Sequence, residues 1–176
     1  MKKIVLSAVL SMCASSVFAS DTLTVELNFA TDKGQGESAG TVTITSSEYG
    51  AVFTPNLKNI DPGVHGFHVH AKGSCDTSVG ADGKVVPAGA AGGHWDPDNT
   101  QAHKGPWDNT GHKGDLPALY ADAERNVTTP VLAPRIKDLK ELQGLSLMVH
   151  VGGDNHSDHP KALGGGGARL ACGVIK

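Results

Sequence analysis

Helical periodicity is nearly absent from this chain, and that absence excludes a helical bundle. Only residues 135–142 before Gly144 suggest one short helix, with a wide loop as the alternative. Positive charge is not in excess: 15 Lys and Arg stand against 18 Asp and Glu, a formal net charge of −3. That balance argues against a general binder of nucleic acid or anionic membranes, but leaves a small anionic substrate admissible, because the local field decides there. No apolar run is long enough to span a bilayer. The most apolar stretch, at the very start, is short and interrupted by serine. Neither an internal repeat nor a second domain is visible. Cysteine is scarce, with three in 176 residues.

The first 19 residues have the three parts of a secretory leader. Lys2 and Lys3 supply the basic region, Ile4 to Leu10 begin the apolar region, and Val17-Phe18-Ala19 ends in the small-x-small cleavage pattern. Met12 stands where a lipid anchor on Cys13 would need a small residue. Cleavage would leave a single domain at 20–176, more acidic than the precursor. It would also leave two cysteines, Cys75 and Cys172, which in an exported chain read as one disulfide closing a long span.

Strand signals are strong. Leu23 to Phe29 and Thr41 to Thr45 alternate apolar and polar residues with period two, and residues 32–40 between them have turn composition. Further strands are expected at Ala51–Phe53, Val64–His70, Leu145–Val151 and Arg169–Val174. Many short strands with Gly- and Pro-rich turns imply an antiparallel sandwich or barrel. Two stretches, 71–118 and 152–167, are too long and polar for simple connections. Loops of that length are usually functional, and these carry histidines that something must order.

The chain has nine histidines, and their placement says more than their number. His68 and His70 lie two apart on an expected strand, so both rings reach the same side. His94, His103, His112 and Asp115 fall in one loop and match a closed, four-coordinate zinc set whose metal would supply folding energy to the loop. His150, on a late strand, could complete a site begun by His68 and His70. Imidazole-rich sites suit copper and zinc, and copper can also cycle by one electron.

Five stretches now stand together: GVHGFHVH (63–70), GGHWDP (92–97), GHKGDLP (111–117), MVHVGGDN (148–155) and GGGGARLACGV (164–174). In this order they resemble the copper–zinc superoxide dismutases of the bacterial periplasmic branch. The resemblance implies an all-β fold, an eight-stranded antiparallel Greek-key β-barrel with two long functional loops. It implies one copper per subunit on His68, His70, His94 and His150, and one zinc per subunit on His94, His103, His112 and Asp115. His94 would be the bridging imidazolate, and would carry a proton when released from copper. Asp154 resembles the carboxylate linking the two sites, and Cys75 and Cys172 match the family disulfide. Arg169 resembles the arginine that docks superoxide, placed by the glycines at 164–167 and charged at any relevant pH. The location implied is the periplasm, and the subunit a monomer or homodimer. A metal carrier on the same fold would need the ligands without Arg169. A zinc hydrolase would need an open zinc position.

Some residues fall outside these roles. His156 and His159 are expected to be exposed loop histidines, with a contribution to the local field as the alternative. His65 is expected to hydrogen-bond loop backbone. Trp95 and Trp107 are expected to pack; exposed, they would offer a subunit contact or a haem-binding surface.

Overall fold

The computed structural model describes residues 22–176; the leader expected at 1–19 lies outside them. Eleven strand segments follow one another: β1 (Thr22–Thr31), β2 (Gly34–Ser47), β3 (Gly50–Leu57), β4 (Gly63–His65), β5 (Phe67–His70), β6 (Ser78–Val79), β7 (Val85–Val86), β8 (Leu119–Ala121), β9 (Val131–Ala133), β10 (Ser146–His150) and β11 (Arg169–Val174). β4 and β5 are one strand bent at Gly66, whose carbonyl accepts from the His150 amide at 2.8 Å. β6 and β7 are a two-residue pair inside the first long loop. The remaining strands are the eight of the expected barrel.

Seven segments form a curled antiparallel sheet in the order β5-β10-β11-β1-β2-β3-β9, and β4 pairs with β8. The links β3–β4, β8–β9 and β9–β10 carry the chain from one end of this order to the other, the crossing pattern of a Greek key. Alternation explains the inner face: on β1, Val25 and Leu27 are buried while Thr24 and Glu26 are exposed. Val42 and Ile44 on β2 and Phe53 on β3 continue that layer, and Phe67, Val69, Leu147 and Val149 close it from the far side. Phe53 and Phe67 meet edge to face at 5.8 Å between centroids, a contact worth about 0.5–1.5 kcal/mol beyond the burial itself.

One expectation is corrected in detail and one alternative is decided. The turn read at 32–40 is really two residues, because β2 already begins at Gly34. Residues 35–38 are exposed, so backbone pairing with β1, not a buried face, holds them. Their composition therefore looks like a turn. Residues 135–142 form a wide link ending in a 3-10 turn, Leu139–Leu142. Asp138 caps it by accepting from the Lys140 amide at 2.9 Å, and Leu139 and Leu142 are buried.

Replacing Phe53 by Ala empties the centre of the inner layer. The expected loss is about 3–5 kcal/mol of unfolding free energy, read from denaturant midpoints of the variant and the parent.

Candidate metal centre

β5 is buried on both faces. Phe67 and Val69 enter the core, so His68 and His70 must point to the opposite side, beneath the long loops. The free edge of β5 is covered by the first loop, stitched on by backbone bonds. The Trp95 amide donates to the Val69 carbonyl at 2.8 Å, the Val69 amide to Gly114 at 2.9 Å, and the Ala71 amide to Gly93 at 3.0 Å. This brings His94 opposite His70 and Asp115 opposite His68. The approach is too close for a side chain at 114: a Cβ on Gly114 would lie 2.3 Å from the Val69 carbonyl oxygen. His150 ends β10, which pairs with the other edge of β5.

Three groups of potential ligand atoms result among the described residues, the third being His103, Asp154 and His156. His68, His70, His94 and His150 each offer one within 4.8 Å of the others, and so do His68, His94, His103 and Asp115. His112 joins the second group through Asp115, its Nδ1 lying 3.3 Å from Oδ1. The same oxygen lies 2.9 Å from His94 Nδ1 and 3.0 Å from His103 Nδ1. All the sequence-predicted ligands therefore converge, with His94 stacked on His68 at 3.9 Å between centroids, in the middle of the set.

Hydrogen bonds on the outer nitrogens decide which atoms face inward. His70 Nδ1 donates to the Gly92 carbonyl at 2.9 Å, and His150 Nδ1 to Gly167 at 3.1 Å. Asp154 accepts from His68 Nε2 through one oxygen and from His103 Nε2 through the other, both at 2.7 Å. Such partners fix ring orientation and tautomer. His68 Nδ1 and His94 Nε2 are left buried without a hydrogen-bond partner, while His103 Nδ1 faces only the Asp115 oxygen. Buried polar atoms are normally satisfied. Inward-facing, neutral imidazole nitrogens beside a carboxylate are the donor set of a copper or zinc site, so the residues fit such metals.

The glycine run makes room for the linking carboxylate. A Cβ on Gly164 would stand 1.9 Å from Asp154 Oδ1 and 2.9 Å from His103 Nε2, and Gly164 has φ +70°. From that run the chain enters β11 at Arg169, which pairs with His150 across a β-bulge. The half-buried guanidinium donates to the carbonyls of Ala88 and Gly92. Cys172, on the same strand, is bonded to Cys75 across a separation of 97 residues, with Cα atoms 5.7 Å apart. In the chain-entropy picture such a closure is worth about 4–5 kcal/mol at most.

His65 lies between the carbonyls of Asp61 (2.7 Å) and His150 (2.8 Å), the backbone-fixing place expected of it. His156 is partly buried against Trp107, with ring centroids 5.6 Å apart, and its amide donates to Asp154 Oδ1 at 2.7 Å. His159 is exposed. Trp95 packs on the core, but Trp107 is 65% exposed. Asp158 was not singled out in the sequence. It accepts from the His103 amide at 2.9 Å and so ties the two long loops together. One aspartate in a polar loop carries no periodic signal.

Burial lowers His68 to about 3, helped by the neighbouring His94. Burial also lowers His150 to about 4, and pushes His70 and His94 down. Burial would lower His103 too, but Asp115 and Asp154 outweigh it and push that ring up to about 9. Burial would raise both carboxyls; their hydrogen bonds to histidines win and hold them well below the usual range.

A family model described as "Copper/zinc superoxide dismutase (SODC)" matches residues 38–175. The chain is 57% identical over 154 residues to a "Superoxide dismutase [Cu-Zn]" of Photobacterium leiognathi, covering 88% of this chain and 86% of that protein. Its structure resembles the Cu/Zn superoxide dismutase from Brucella abortus with a TM-score of 0.86 at 52% identity, over 89% of this chain and 100% of that one. The solution structure of the monomeric enzyme from Salmonella enterica aligns with a TM-score of 0.79 at 54% identity, over 89% of this chain and 100% of that one.

The site sets a pH dependence for the metal-free protein. Unfolded histidines take up protons below about pH 6.5, whereas His68 and His150 in the fold do so only near 3 and 4. Their stabilisation is therefore present above pH 6.5 and lost as the pH falls. His103, raised, opposes this more weakly, because its contribution is already largely in place at pH 7. The melting temperature of the metal-free protein should fall by about 4 °C or more between pH 7 and 5. A flat or rising curve would show that these rings are not held neutral.

Proposed function

The chain belongs to the copper/zinc superoxide dismutase family, and on that footing we propose that His68, His70, His94 and His150 hold copper while His94, His103, His112 and Asp115 hold zinc. The protein is a superoxide dismutase: two superoxide anions and two protons become dioxygen and hydrogen peroxide, with copper and zinc as cofactors. The observation that carries the ligand assignment is the position of His94, with Nδ1 turned to Asp115 and Nε2 buried and unpartnered among the first group.

Copper held by His68, His70, His94 and His150 would supply the one-electron exchange that lets one superoxide be oxidised and another reduced. The protein does the rest. Arg169 is the substrate-docking cation, half-buried yet charged, since a guanidinium keeps its proton even when burial lowers its affinity for it. The carbonyls of Ala88 and Gly92 aim it at the space beside His150. His94 Nε2 is the atom on which a proton is held for the departing peroxide. Asp154 keeps the His68 and His103 rings turned, so that His68 Nδ1 faces inward and His103 Nδ1 faces Asp115.

The leader at 1–19 is proposed to direct export to the periplasm and to be removed, leaving the domain at 20–176. The disulfide supports an oxidising destination, and the relatives named above are bacterial. Among the described residues no helix is long and apolar enough to cross a membrane. Every residue of the proposed centre lies on one chain, so the reading holds for a monomer and for a homodimer.

Superoxide loss should be fast with both metals loaded and should slow with added salt. Arg169→Ala should lower kcat/KM by about tenfold or more with copper content unchanged, and Arg169→Lys by less. No activity above free copper, with both metals tightly bound, would instead favour a metal carrier.

A further inference from the structure

Residues 104–111 join His103 to His112, yet they contain no helix or strand. Something must hold this span in shape if the two rings are to meet at Asp115. The fork of Arg135 does so from outside. Nη1 donates to the carbonyl of Asp108 and, at 3.5 Å, to that of Gly105; Nη2 donates to Gly111 at 2.9 Å. All three acceptors lie between the two histidines.

The other end of the fork is anchored in the barrel. Ile136, the next residue, is 1% exposed, and its carbonyl accepts from the Ala51 amide of β3 at 2.9 Å. The same link carries Glu141, which pairs with Lys113 beside His112. Lys113 in turn lies over the Trp95 ring at 5.1 Å, one residue past His94. The link between β9 and β10 thus grips the ligand-bearing loop at two places, and Arg135 is the grip on the span itself.

We propose that Arg135 is a positioning residue for the zinc half of the centre, setting the backbone between His103 and His112 so that both rings converge with Asp115. This rests on the reading that those residues hold zinc. The role needs a planar cation with several donors in fixed directions, and a lysine ammonium at the same place cannot serve all three carbonyls in that geometry.

The test uses the full mature protein with copper in place and either zinc or cobalt(II) in the other site. Parent protein with cobalt should give the intense visible bands of a tetrahedral ion. Arg135→Ala should weaken or shift those bands and release zinc to a chelator at least tenfold faster, with copper release unchanged. Arg135→Lys should behave like the Ala variant, and it decides the matter if Arg135→Ala does not fold. Arg125→Ala, which removes a guanidinium bound to the Asn59 carbonyl and Asp61 elsewhere, should match the parent. Zinc release within twofold of the parent would overturn the proposal. So would an equal acceleration of copper release, which would mark a general loosening of the fold. Parent protein lacking the tetrahedral bands would instead overturn the zinc reading, and this proposal with it.

Discussion

The carboxylate of Asp154 is the interaction on which the rest of the site depends. Its side chain is fully buried, and each oxygen accepts from a different ring, His68 on β5 and His103 in the first long loop. A buried anion without partners would be costly; here two imidazoles and the His156 amide satisfy it. In return it determines which nitrogen of each ring faces inward. The absence of a side chain at Gly164 lets the second loop pass close enough for this to happen.

The barrel makes such a concentration of polar groups tolerable. Strands β5 and β10 put Phe67, Val69, Leu147 and Val149 into a continuous apolar layer. Their alternate residues, His68, His70 and His150, fall on the outer side, where the loops roof them. The roof is held by backbone bonds to β5, by Asp158 between the loops, and by the disulfide to β11. Ring positions are thus inherited from strands, and ring rotations from loop acceptors.

Period-two alternation made β1, β2 and the histidine strands legible in the sequence, because each has one apolar face. It misjudged 34–38, where pairing without burial leaves no pattern. The ligand types were legible because histidines two apart on a strand must share a side. Their pairing with particular acceptors was not, since backbone carbonyls such as Gly92 and Gly167 have no side chain to announce them. Asp158 was hidden for a related reason: its partner is a backbone amide 55 residues away, and no local spacing encodes that contact.

The Gly92 carbonyl has a consequence for how tightly the site is toleranced. One oxygen accepts from His70 Nδ1 and from the Arg169 guanidinium together. The offset between a ring that faces the metal space and the cation that meets the substrate is therefore gauged from a single atom, by two hydrogen-bond lengths. It does not accumulate over the loop residues in between. Ring and cation, mounted on two different strands, are thereby referenced to the same point of the loop.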